Sequence, residues 1–77
     1  MNIKTIGPNM TQLDLSDGTQ VLVSYGTPVA AFVPGIGYAR TDRKWSQTTS
    51  RHISKWLQGA DSKVMAQDFF DKWTVIR

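Results

Sequence analysis

Along the first half of the chain, apolar and polar positions alternate in short runs divided by turn residues. In the second half apolar positions recur every three or four residues. The first pattern is that of strands and the second that of helices. Asn2 to Ile6 reads as a strand stopped by Gly7-Pro8-Asn9, where proline sets φ and asparagine tolerates turn geometry. Alternation resumes over Gln12 to Leu15, with Leu13 and Leu15 on one face and Gln12 and Asp14 on the other. Ser16-Asp17-Gly18 marks a hairpin, since glycine takes a positive φ without steric cost. Gln20 to Tyr25 returns as a strand whose polar face is broken by Leu22, which predicts a central strand or one covered on both sides. Gly26-Thr27-Pro28 interrupts the pairing, because proline lacks a ladder donor and belongs at a strand start, a bulge or an edge. Val29 to Val33 is an apolar run, Pro34-Gly35-Ile36-Gly37 a turn and Tyr38 to Thr41 a last strand. Four to five short strands of this kind form an antiparallel meander, open or curled toward a small barrel.

A main helix is predicted over about residues 48–58, with Ser46 and Thr48 both suitable N-caps, Thr48 preferred, and Gly59 a natural terminator. Thr49, Ile53, Trp56 and Leu57 share one face of it, and Arg51, Lys55 and Gln58 the opposite one. Met65, Phe69 and Trp73 then recur at spacing four, which predicts a short C-terminal helix from about Ala66 to Trp73. Residues 63–65 fit either that helix or an edge strand. Strands followed by helices define an α+β domain, with the main helix packed on the meander.

With 77 residues the chain is a single small domain, and such a domain buries only about 60% of the surface its unfolded form exposes. There is no cysteine, so disulfides and thiolate metal sites are excluded. One histidine, six aspartates and no glutamate, without ligand spacing, give no metal site and no cofactor motif. Self-association remains as a way to gain burial, and a homodimer is plausible on that ground. The N-terminus carries no signal-peptide pattern, and the longest apolar run, Val29 to Val33, is far too short to span a membrane. A cytoplasmic protein without membrane partners is expected.

Charge changes the picture more. The net charge is +3, but residues 40–57 hold five basic residues against one acidic, and the rest holds four against five. The excess lies in RTDRKWSQTTSRHISKWL, where cations adjoin tryptophan. That composition suits phosphate neutralisation and base stacking, so Arg40, Arg43, Lys44, Trp45, Arg51 and Lys55 are the candidate nucleic-acid-binding residues. The alternative is that Trp45 packs at the strand-to-helix junction while the charges solvate a surface; Arg51 and Lys55 lie where any amphipathic helix puts its charges.

The stretch SYGTPVAAFVPGIGYARTDRKWSQTTSRHISKWL, Ser24 to Leu57, resembles a family of small uncharacterised proteins encoded by bacteriophages and prophages. The shared pattern runs SYxTPVAxF, GYxRT and KWSxTTxxHIxxWL. The resemblance implies a phage-related origin, hence a host-cell cytoplasmic setting, and a compact small domain. It implies no chemistry.

The remaining candidates are structural or point to a protein partner. His52 has no visible acid, base or metal partner, so a structural role is expected. Gly35-Ile36-Gly37 lacks the third glycine and following helix of a phosphate loop and reads as a turn. Ser46, Thr48, Thr49, Ser50 and Ser54 are explained as caps and helix-surface hydroxyls. Phe69 and Phe70 point about 100° apart on a helix, so with Trp73 they form either an exposed interface or a wide face wrapped by the sheet. The expectation is a non-enzymatic accessory domain contacting nucleic acid through a basic face. The alternative is a host- or phage-protein interaction or homo-oligomerisation module built on Phe69, Phe70 and Trp73.

Overall fold

A computed structural model of the chain describes residues 2–73. The elements are β1 (Asn2–Gly7), β2 (Met10–Asp14), β3 (Gln20–Ser24), β4 (Thr27–Val33), β5 (Gly37–Thr41), α1 (Gln47–Leu57), β6 (Lys63–Met65) and α2 (Gln67–Asp71). The six strands form one sheet in chain order. The first five pair antiparallel as the predicted meander, and β6 joins β5 in parallel. That parallel pairing needs a crossover, and α1 supplies it. The sheet is open and does not close into a barrel: β1 and β6 are its two edges. Residues 63–65 are the edge strand of the two alternatives.

Each hairpin follows from local chemistry. Between β2 and β3 the Gly18 N–H donates to the Leu15 carbonyl at 3.1 Å, and Gly18 sits at φ 93°, where a side chain would be strained. The Asp17 carboxylate accepts the Thr19 N–H at 2.9 Å, which holds the Asp17 carboxyl below its ordinary pKa. In β4, Leu22 faces Ala30 and Val23 faces Pro28, leaving Val29 as an extra residue. This bulge accommodates a proline that cannot donate to the ladder, and it turns both Val29 and Ala30 to the same face.

The sheet is covered on both sides, which explains the apolar residue on the polar face of β3. Met10, Leu22, Val29 and Ala30 pack with Ile53 and Leu57 of α1 on one face. Leu13, Val21, Val23, Ala31 and Ala39 pack with Phe70 of α2 on the other. Ser46, and not Thr48, caps α1: its hydroxyl accepts the Thr49 N–H at 3.1 Å while Thr48 stays exposed. Thr49 lies on the buried face, so capping three residues before it brings its first turn down onto the sheet. At the other end Gln58, at φ 51°, donates its N–H to the Ser54 carbonyl.

Candidate nucleic-acid interface

The site grows from the junction between β5 and α1. Ala39 belongs to the α2-side core and its neighbour Tyr38 to the α1 side, so the pleat turns Arg40 toward α1 and Thr41 toward α2. After Thr41 the chain crosses from the sheet to the helix in five residues, and a buried amide organises the crossing. The Thr41 hydroxyl accepts the Arg43 N–H at 3.2 Å and donates to Gln67 Oε1 at 2.7 Å. The Trp45 indole Nε1 donates to the same Oε1 at 3.2 Å. Gln67 Nε2 donates to the Pro28 carbonyl at 2.9 Å and to Asp71 Oδ1 at 3.2 Å. One side chain of α2 thereby ties β4, β5 and the junction together.

Above this anchor lies a cleft of about 240 Å³, lined by Arg40, Arg43, Lys44 and Trp45, by Ser50 and Ile53 of α1, and by Val64 of β6. Asp42 is its one acidic lining residue. Trp45 is 44% exposed, with the Arg43 guanidinium 5.1 Å above its ring centroid. Among the described residues none of Arg40, Arg43 or Lys44 is engaged in an ion pair, so their charge is available to an anionic ligand. The Trp45 indole N–H is tied into the strand-to-helix junction, while much of its ring stays open.

Four of the six predicted residues therefore share one cleft. Arg51 and Lys55 are exposed along α1, one turn apart, and neither lines it. Lys55 instead borders a second cleft beside Trp56. Trp56 is half-buried against the α1-side core, and its Nε1 donates to Gln12 Oε1 at 2.9 Å.

His52 finds a partner that sequence reasoning missed. Its Nδ1 shares a 2.8 Å hydrogen bond with the Ser24 hydroxyl, which also bonds Thr49 Oγ1 at 3.2 Å. Ser24 is buried, and the contact pins α1 to the end of β3. The Gly35-Ile36-Gly37 segment is a turn, closed by the Ile36 N–H on the Val33 carbonyl. Among the described residues no group of three metal-ligating side chains is assembled, and no helix is long and apolar enough to cross a membrane.

The C-terminal aromatics require a correction. Phe70, offered above either as part of an exposed interface or as part of a wide face wrapped by the sheet, is 0% exposed at the centre of the α2-side core, so the wrapped face is the arrangement found. Phe69 and Trp73 are half-buried and pack against it, their rings 5.1 and 6.2 Å from that of Phe70. The reason is the second covered face: the sheet offers α2 a surface wide enough to take neighbouring aromatics pointing in different directions. Lys72 lies over the outer rings, its Nζ 4.4 Å from the Phe69 centroid.

The class these features define is a small α+β domain with an open six-stranded sheet, a helix on each face and a cation-lined cleft at the β5–α1 junction. The chain belongs to a family of unknown function (DUF8033), whose model matches residues 1–72. No curated protein and no solved structure matches it.

Proposed function

We propose that the protein is a small, non-enzymatic accessory binding domain that contacts nucleic acid without sequence preference through the cleft at the β5–α1 junction. The observation that carries this reading is the gathering of Arg40, Arg43, Lys44 and a half-open Trp45 around one cleft, with the tryptophan anchored from below by Gln67. Cations without internal partners neutralise phosphates, and an anchored aromatic gives bases a stacking platform at little entropic cost. A phage-related origin, and with it a host cytoplasmic setting, rests on the Ser24-to-Leu57 pattern alone. The test is titration of labelled single- and double-stranded DNA and RNA at several salt concentrations. Log affinity is expected to fall with log salt by about 0.7 per contacted phosphate on single strands and about 0.9 on duplex. Arg43→Ala with Lys44→Ala is expected to flatten that slope. Absence of binding at low salt, or an unchanged slope in the double variant, overturns the reading.

A second reading, self-association, is favoured by a surface other than the C-terminal aromatics. Edge strand β1 is exposed along nearly its whole length, with Ile3 60% exposed, and among the described residues no strand faces its outer backbone groups. Such an edge is a template for antiparallel pairing with a second copy.

A further inference from the structure

A second cleft, of about 400 Å³, lies on the α1 face of the sheet and shares no lining residue with the basic junction, and no part of the reading above uses it. Met10 and Ile6 give it an apolar base, Trp56 and Tyr38 an aromatic corner, and Gln20 and Gln58 its polar walls. The two rings stand nearly perpendicular, at 81° with centroids 5.8 Å apart. Trp56 is held by its hydrogen bond to Gln12, so its ring is fixed before any ligand arrives. By contrast the Gln20 amide, the Gln58 amide and the Tyr38 hydroxyl make no hydrogen bond within the described protein. No buried side-chain polar atom among the described residues lacks a partner, so these three free groups reach solvent. No acidic residue lines the cleft, and Lys55 stands on its border.

We infer that this cleft takes a planar heterocyclic base, free or extruded from a single strand. Such a ligand has an apolar face to stack on a fixed aromatic ring and an edge of alternating donors and acceptors. A primary amide, carrying both a carbonyl and an NH2 group, pairs with that kind of edge in two-point fashion. Single-stranded nucleic acid is recognised in this way, by stacking of splayed bases and hydrogen bonding at their edges, with a nearby cation for the phosphate. The volume falls within the range of small-ligand sites. The strand-bound form of the inference rests on the nucleic-acid reading above; the free-base form does not.

The experiment is an NMR titration of the isotopically labelled protein with neutral nucleosides, with a neutral monosaccharide as control, followed by a short single strand. Millimolar nucleoside is expected to shift the Trp56 indole N–H and the Gln20 and Gln58 side-chain amides, while the sugar leaves them in place. Gln20→Ala is expected to weaken nucleoside binding at least tenfold. Tyr38→Phe, which removes only a hydroxyl, gives a smaller loss in a protein whose backbone spectrum is unchanged. Arg43→Ala with Lys44→Ala is expected to weaken the strand and leave the nucleoside affinity intact, which separates the two sites. Nucleosides that shift nothing at this cleft, or a sugar that shifts it equally, overturn the inference. If the strand alone binds, through the basic cleft, the inference fails and the proposed function stands.

Discussion

Gln67 is the residue on which the candidate site depends, and nothing near it in the chain announces that. Its amide partners at Trp45, Thr41 and Pro28 are 22, 26 and 39 residues away. Replacing it with leucine keeps the approximate shape but leaves the Thr41 hydroxyl, the Trp45 N–H and the Pro28 carbonyl without that partner. The Thr41 and Pro28 bonds are buried, and each group orphaned there costs about 1–3 kcal/mol, so Gln67→Leu is expected to lower stability by several times the effect of an ordinary surface change. It is also expected to move the Trp45 indole N–H resonance toward that of a free, solvent-exposed indole. Denaturant unfolding together with the indole spectrum checks both; an unmoved resonance would mean that Trp45 is positioned by something else. The candidate cations were legible because a run of charge is a property of adjacent residues. Gln67 was not, because its role consists entirely of contacts made by folding.

At the scale of elements, local chemistry carried far. The hairpin between β2 and β3 follows from Asp17-Gly18, and its Asp17 carboxylate gains a backbone N–H on folding. The folded pKa of Asp17 is thus depressed, chiefly by the Thr19 backbone N–H. A depressed carboxylate contributes stability above its unfolded value, about 4, and loses it as pH falls through the folded value. Asp17→Ala is therefore expected to be less stable than the parent at neutral pH, with the difference shrinking as the pH drops below about 4. Unfolding curves for both proteins across that range give the answer, and a gap of constant size would remove the charge from the account. The helix α1 was equally legible in its buried face, but the choice between Ser46 and Thr48 as cap was not. Either hydroxyl serves locally, and packing of Thr49 onto the sheet settles it. The tail was hardest to read, because Met65 closes a strand while Phe69 lies in a helix and Trp73 just beyond it, all at one four-residue spacing.

For the whole molecule, the decisive feature is that the sheet is covered on both faces yet open at both edges. Covering both faces removes Phe70 from any partner surface; a charged residue there would disrupt the fold instead of testing an interface. The open edges move the question of self-association to β1. If β1 pairs with its symmetry mate, sedimentation equilibrium at high concentration is expected to show a dimer that Ile3→Lys returns to monomer, because charge on an edge strand opposes pairing. A parent protein that stays monomeric at all accessible concentrations would dismiss this second reading.

The sequence by itself determined the meander, its turns, the span and inner face of the main helix, and the cluster of cations, since each depends on neighbours a few residues apart. Tertiary structure alone decided which face each helix covers, that the sheet stays open, and that Phe70 is core. It alone joined Trp45 to Gln67 and opened a second cleft beside Trp56. These outcomes rest on pairings across long stretches of chain, where geometry rather than local preference selects among alternatives that the residues themselves leave equal.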